Sequence, residues 1–238
     1  MTIFLCEGNP FFNAYTESDL VGKVVFILLL FLSVVSWSVL IQKIWLTRRV
    51  KNDSQLFRKV FIHNSAKPLD ITPPLAQEYP NAFAIIYDVV KTKTLEIFEK
   101  NKKCEENSCK TLQPADIALL ETHAGATISS LTNFLERNLY ILSTIVTLAP
   151  FLGLLGTVYG ILTTFAELGN HGAGSSNQAI LSGLSLALSA TVLGLIDAIP
   201  ALVGYNYLKH QIYDFDGQMQ RFATDVLSSV ELQYRTGE

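Results

Sequence analysis

The sequence predicts an all-α integral membrane protein with three transmembrane helices, two of them extended into long cytoplasmic helices. Three observations lead there. Only 16% of the 238 residues are charged, against 49% apolar, and the mean hydropathy is +0.30; soluble domains usually carry roughly 25% charge. The charge is absent from three long gaps: Val24 to Ile41 over 18 residues, Leu139 to Ala166 over 28, and Ala179 to Tyr207 over 29 with Asp197 alone. A helix needs roughly 20 mainly apolar residues to cross a hydrocarbon core about 30 Å thick. Third, lysine and arginine are unevenly shared. Residues 1–22 and the loop 167–178 have none, whereas Thr47 to Asn138 holds 13 of the 18.

The elements follow in order. Residues 1–20 form an external N-terminus without the basic region of a cleaved signal peptide. Transmembrane helix 1 covers 21–46, followed at once by Arg48, Arg49 and Lys51. Positive charge stays on the cytoplasmic side, so 47–138 is cytoplasmic and the N-terminus is outside. Within 47–138, Pro68, Pro73, Pro74 and Pro80 break structure. Phe83, Ile86, Val90, Ile97 and Phe98 then mark an amphipathic helix. A polar loop from Asn101 comes next. Pro114 and Asp116 open a helix predicted to run without interruption into transmembrane helix 2, residues 139–166. The loop 167–178 is external. Transmembrane helix 3, 179–207, continues as a cytoplasmic helix, 208–238, where Ile212, Phe215, Met219, Phe222, Val226 and Val230 recur every three or four residues.

Lipid gives helices no hydrophobic incentive to associate, so close packing relies on small side chains and polar bonds. The second span carries Ala149, Gly153, Gly156, Gly160 and Thr164 on one face. The third carries Gly183, Ala187, Ala190, Gly194, Ala198 and Ala201 at similar steps. Thr157 and Thr191 fall at similar depth near mid-membrane. Asp197 lies roughly 10 Å nearer the cytoplasm. The helical wheel turns it away from the bulky leucines, toward protein or a cavity. That suits an ionisable side chain, whose exposure to mid-bilayer lipid costs on the order of 3 kcal/mol or more. A carboxylate solvated at the inner rim is the bland alternative.

The strings "PFLGLLGTVYGILTTFAELG" and "GLSLALSATVLGLIDAIPALVGYNYL" resemble the two signature membrane helices of the MotA/TolQ/ExbB proton-channel family. The first span, "LVGKVVFILLLFLSVVSWSVLIQK", is most similar to TolQ. The resemblance implies a homo-oligomeric ring of five subunits in the inner membrane of a bacterium, with a periplasmic N-terminus and a cytoplasmic C-terminus. It implies a TolR- or ExbD-like single-span partner whose membrane aspartate carries protons. A TolA- or TonB-like protein is a further candidate partner, and membrane lipid surrounds the whole. Carried over residue by residue, Thr157 and Thr191 match the family's pore threonines, and Pro150 and Pro200 its helix-bending prolines. The implied function is a stator subunit that couples proton flow to force on envelope proteins, for outer-membrane maintenance or transport.

Two positions depart from that pattern. Leu186 stands where TolQ and ExbB members commonly have glutamate, and Asp197 stands where the family has a small apolar residue. Eleven residues separate them, about 16 Å along a helix. Asp197 either takes over the acidic role from another depth or serves as a proton exit or packing residue. The second role suits its depth better.

Other classes find little support. A net charge of −3 offers nothing to nucleic acid. Cys6, Cys104 and Cys109 lack the spacing of a zinc site, and no motif calls for a metal or another cofactor. An intramembrane aspartyl protease needs two carboxylates, and a rhomboid-like protease needs a membrane histidine. His63, His123, His171 and His210 all lie outside the spans. An enzyme is therefore not expected. A self-sufficient transporter would be expected to show internal repeats. The main competing reading is a non-energised scaffold that anchors envelope proteins by helix packing.

Overall fold

The computed structural model describes residues 20–63, 69–73, 80–104, 112–171 and 177–234. Outside them lie Cys6, Pro68, Pro74 and Cys109, as do the side chains of Cys104 and Leu186. The described residues form five α-helices and no strand: α1 Leu20–His63, α2 Ala82–Cys104, α3 Pro114–Glu136, α4 Leu139–His171 and α5 Asn177–Tyr234. Helices α1, α4 and α5 each contain a stretch long and apolar enough to cross a membrane. With α4 running to His171 and α5 starting at Asn177, both helices take residues that the charge pattern assigns to the loop.

The chain divides into two compact units. The first comprises residues up to Gln42 together with Asn138–Tyr207, and the second Lys43–Arg137 together with Leu208–Glu238. In the first, three helical segments meet around Val25 and Leu29 of α1, Ile145 and Ala149 of α4, and Ala198 and Ala201 of α5. Much of the remaining surface is bulky and apolar, with Phe31, Trp37, Phe151, Leu162, Phe165 and Val203 more than half or about half exposed. A soluble unit would bury these side chains. On a membrane unit they meet lipid or another helix at no cost.

The second unit has a helical core of its own built on aromatic side chains. Phe83 stacks between Phe215 and Phe222, with centroids 5.8 and 4.6 Å away. Phe57 and Phe61 of α1 and Tyr87 of α2 pack edge-on into the same group. The predicted stripes of α2 and α5 are the buried ones: Phe83, Ile86, Val90 and Ile97, and Ile212 through Val230. Phe98 packs on Tyr234 at 5.2 Å. At the start of α3, Pro114 occupies the first turn and the Gln113 N–H donates to the Asp116 carboxylate at 3.0 Å, satisfying one of the free groups of the helix start.

Two expectations are corrected. The helix beginning at Pro114 does not run unbroken into the second span. It ends at Glu136, Arg137 leaves helical geometry, and Asn138 adopts φ 70° before α4 begins. Asparagine tolerates the left-handed region because its short amide can bond locally. The last turn of α3 is closed by the Arg137 N–H to the Asn133 carbonyl at 2.9 Å and by the Lys43 ammonium, which donates to the Leu135 carbonyl at 3.1 Å. The helices that run on past their apolar stretches are instead α1 and α5. The signal for α1 was present in Val50, Ser54, Phe57 and Phe61, spaced at four, three and four residues and all buried. The second correction is smaller: α2 continues through Asn101 to Cys104, into the predicted loop.

Candidate functional site

Helices α4 and α5 approach through their small residues. The contact is close enough that most of the glycines have no room for a methyl group. A Cβ on Gly194 would sit 2.6 Å from the Ala149 carbonyl oxygen, and one on Gly153 would sit 3.0 Å from the Ala190 oxygen and the Thr191 Cα. One on Gly156 would lie 2.6 Å from the Ala190 Cβ, and one on Gly160 2.9 Å from the Ala187 Cβ. Gly183 meets Thr164 in the same way. The pairs Ala149–Gly194, Gly156–Ala190, Gly160–Ala187 and Thr164–Gly183 thus run in opposite directions along the two helices. Each is a backbone approach of the kind that stabilises helices in lipid through dispersion.

Threonines line this seam and treat it differently. The Thr191 hydroxyl crosses it, donating to the Gly153 carbonyl at 3.0 Å. Thr157 donates to its own helix, to the Leu154 carbonyl at 2.7 Å. Thr163 and Thr164 both donate to Gly160, at 3.0 and 2.7 Å. Thr157 and Thr191 each follow a member of the Gly156–Ala190 contact by one residue, so they share a level of the pair. Both remain partly exposed. Pro150 and Pro200 lie inside continuous helices. Lacking an N–H, they leave the carbonyls of Val146 and Ile196 without their usual helical donor.

Asp197 sits elsewhere. It is 5% exposed and packs on the side of α5 turned toward α1. The Ser33 hydroxyl of α1 faces the carboxyl, yet neither carboxyl oxygen reaches hydrogen-bond geometry with any described residue. The structure therefore sets Thr157 and Thr191 at one level of the α4–α5 pair and places Asp197 on the side toward α1. Ser33 was not recognised in the sequence, because one serine in an apolar helix carries no pattern. Among the described residues, no group of three or more His, Cys, Asp or Glu side chains could hold a metal ion. In the second unit, a groove of about 280 Å³ is lined by Ser129, Thr132, Asn133, Asp216 and Gln220. Its carboxylate is already committed, accepting from Thr132 at 2.6 Å and from Gln220 at 2.7 Å.

Three apolar helices, a glycine-lined seam with polar threonines, and a second compact helical unit define a multi-pass membrane protein built for close helix association. The comparison with known families makes that specific. The chain belongs to the MotA/TolQ/ExbB proton channel family, whose model matches residues 96–221, from within α2 through α3 and α4 into α5. Among characterised relatives, the Biopolymer transport protein ExbB of Aquifex aeolicus is 49% identical over 78 residues, 33% of this chain and 52% of that protein. Its namesake in Pseudomonas putida is 29% identical over 218 residues, 90% of this chain and 61% of that protein. The ExbB of Salmonella typhimurium is 29% identical over 214 residues, covering 90% and 83%. The chain therefore spans little more than half the length of the first two.

Proposed function

We propose that the chain is the channel-forming subunit of an envelope motor driven by the proton-motive force, of the TolQ or ExbB type. The observation that carries this reading is the α4–α5 pair. Its apolar stretches lie within the family match, it has no charged residue in 139–166, and it holds Thr157 and Thr191 at one level beside a close backbone contact. Five copies would present these helices around a central space. There a TolR- or ExbD-like single-span partner would carry protons on a membrane aspartate, with the two threonines supplying hydroxyls beside it. A unit charge crossing 100 mV releases about 2.3 kcal/mol, which is the energy available for force on the envelope. A TolA- or TonB-like protein would receive that force. The relatives named above are transport proteins, which favours the ExbB-type role over the Tol-type role.

The orientation follows the charge asymmetry, with the N-terminus in the periplasm and the C-terminus in the cytoplasm of an inner-membrane protein. Exposed Trp45, with the Arg49 guanidinium 5.0 Å from its ring centre, supports a membrane boundary at this end of the first span. Aromatic and basic side chains concentrate at such boundaries.

The test is co-reconstitution with a single-span partner in vesicles carrying an imposed proton gradient. Proton uptake that depends on the partner's aspartate and falls in Thr157→Val supports the motor. Envelope function that persists after the gradient is collapsed, with no uptake in vesicles, would establish the scaffold instead. The small-residue seam alone serves both.

A further inference from the structure

Helices α1 and α5 pair in a seven-residue register. Phe26 packs with Ala190, Ser33 faces Asp197, and Leu40 closes over Gly204, where no Cβ would fit. Each step of seven is two turns, about 10.5 Å. The middle layer is thus a carboxyl and a hydroxyl, with an apolar layer on either side along the helix axis. The residue after Asp197, Ala198, belongs to the apolar cluster that Leu29 and Leu32 of α1, Ile145 and Ala149 of α4 and Leu193 of α5 also form. Asp197 is 5% exposed.

The charged groups that could balance it are distant. The apolar part of α1 is bounded by Lys23 and Lys43, each ten residues from Ser33, or about 15 Å along the axis. Residues 139–166 of α4 and the rest of 179–207 in α5 contain no charge. An ionised carboxylate without a cation or hydrogen-bond donors is the costliest group a protein can bury, and more so in a membrane. A neutral carboxylic acid is different. It has one O–H to donate and a carbonyl to accept, and serine offers the reciprocal pair. A metal cation would need several oxygen ligands, six or more for calcium, and this layer supplies a carboxyl and one hydroxyl.

We propose that Asp197 and Ser33 form a proton-binding site carried by this chain itself, on the α1–α5 seam and separate from the threonines of α4 and α5. The bound proton keeps the carboxyl neutral and lets it bond to Ser33, which fastens α1 to α5. Loss of the proton leaves a bare carboxylate in an apolar seam and drives α1 away from α5. The site requires the membrane fold but not proton conduction through the assembly, so it stands or falls independently of the motor.

The experiment is infrared difference spectroscopy on the full chain in lipid nanodiscs at neutral pH, wild type minus Asp197→Asn. The expected result is a protonated-carboxyl C=O band present in the wild type and missing in the variant. In Ser33→Ala that band moves to higher frequency as its hydrogen bond is lost. If Asp197→Asn instead removes carboxylate bands, Asp197 is ionised and the proposal fails. A band abolished by sodium chloride but not by potassium chloride would make this a metal-cation site, which also overturns it. An unmoved band in Ser33→Ala removes serine from the site. As a check without substitution, wild-type protein is treated with dicyclohexylcarbodiimide, which attacks protonated carboxyls, and mapped by mass spectrometry. An adduct on Asp197 that declines with rising pH supports the site. Adducts on other carboxyls with none on Asp197 at any pH count against it.

Discussion

The Thr191 hydroxyl of α5 donates to the Gly153 carbonyl of α4 at 3.0 Å. The same glycine gives α5 its room, because a Cβ there would press on the Ala190 oxygen and the Thr191 Cα. One residue pair thus combines the two means by which helices associate in lipid, close backbone approach and an interhelical hydrogen bond. Thr191→Val should lose the bond while keeping the shape, destabilising the α4–α5 pair by about 0.6–1.7 kcal/mol. Thr191→Ser should retain most of it. Thr157→Val, whose hydroxyl bonds only within its helix, should leave stability nearly unchanged. Reversible unfolding in mixed micelles distinguishes these outcomes. Loss of proton uptake in Thr157→Val without loss of stability would separate a functional hydroxyl from a structural one.

The glycines of the seam should differ in tolerance according to what their missing methyl would meet. Gly194→Ala is expected to be the most damaging, costing about 1–3 kcal/mol or displacing α5. Its Cβ would strike the Ala149 carbonyl oxygen, a backbone atom that cannot rotate away. Gly125→Ala, with nothing within 4 Å of the new methyl, should be neutral or stabilise α3 by up to about 1 kcal/mol through helix propensity. Thermal unfolding of the two variants side by side checks the contrast. Equal tolerance would show that the seam adapts.

Lys43 ends α3 from a different helix. Lys43 is 6% exposed, and its ammonium donates to the Leu135 carbonyl, one of the last carbonyls of α3 left free by the break at Asn138. A charge-assisted bond is worth about 1.5–3 kcal/mol, and burial of the ammonium offsets part of that. Lys43→Met should therefore cost about 1–2 kcal/mol net. The loss should appear as faster amide hydrogen exchange in the last turn of α3 rather than across the helix. Exchange unchanged in residues 131–136 would exclude a capping role.

Tyr87 gives the second unit an alkaline limit. Burial, the largest cause, pushes its phenol up to about 12 from 10.0, with a backbone hydrogen bond at Ile71 opposing the rise and Asp70 and Asp88 adding to it. The proton is therefore held more tightly in the folded chain than in the unfolded one. This contribution is fully present below pH 10 and is lost as pH rises toward about 12. Tyr87→Phe should lower stability slightly at neutral pH, by the lost bond, and flatten its decline in that alkaline window. Denaturation midpoints measured across the window test the sign.

Much of the fold was legible because membranes and cores impose simple patterns. Charge gaps revealed the three spans, and the spacing of Phe83, Ile86, Val90 and Ile97 revealed the buried face of α2. Gly153, Gly156, Gly160, Gly183, Ala187 and Gly194 could be picked out because small residues at helical spacing are rare without a close neighbour. The break at Asn138 was not legible. "LERNLYIL" contains no glycine or proline, and asparagine reaches φ 70° only where the surroundings reward it. The run of α1 to His63 could have been found from Val50, Phe57 and Phe61, but the run of basic and polar residues from Thr47 to Asp53 obscured that stripe.

Asp197 shows where the division falls. The sequence by itself determined that a lone carboxylate lies in an apolar helix and turns away from its leucines, because helical periodicity sets angle and depth. The match of the α4 and α5 strings to the family was also determined there, because it rests on residue identity. Only the tertiary structure decided that Asp197 faces Ser33 of α1 while Thr191 faces Gly153 of α4. A wheel gives the direction of a side chain on its own helix, whereas its neighbour depends on which helix packs there and in what register. Phe26, Ser33 and Leu40 meet Ala190, Asp197 and Gly204 because α1 and α5 pair at a seven-residue step. That step is a property of two helices together and is written in neither one alone.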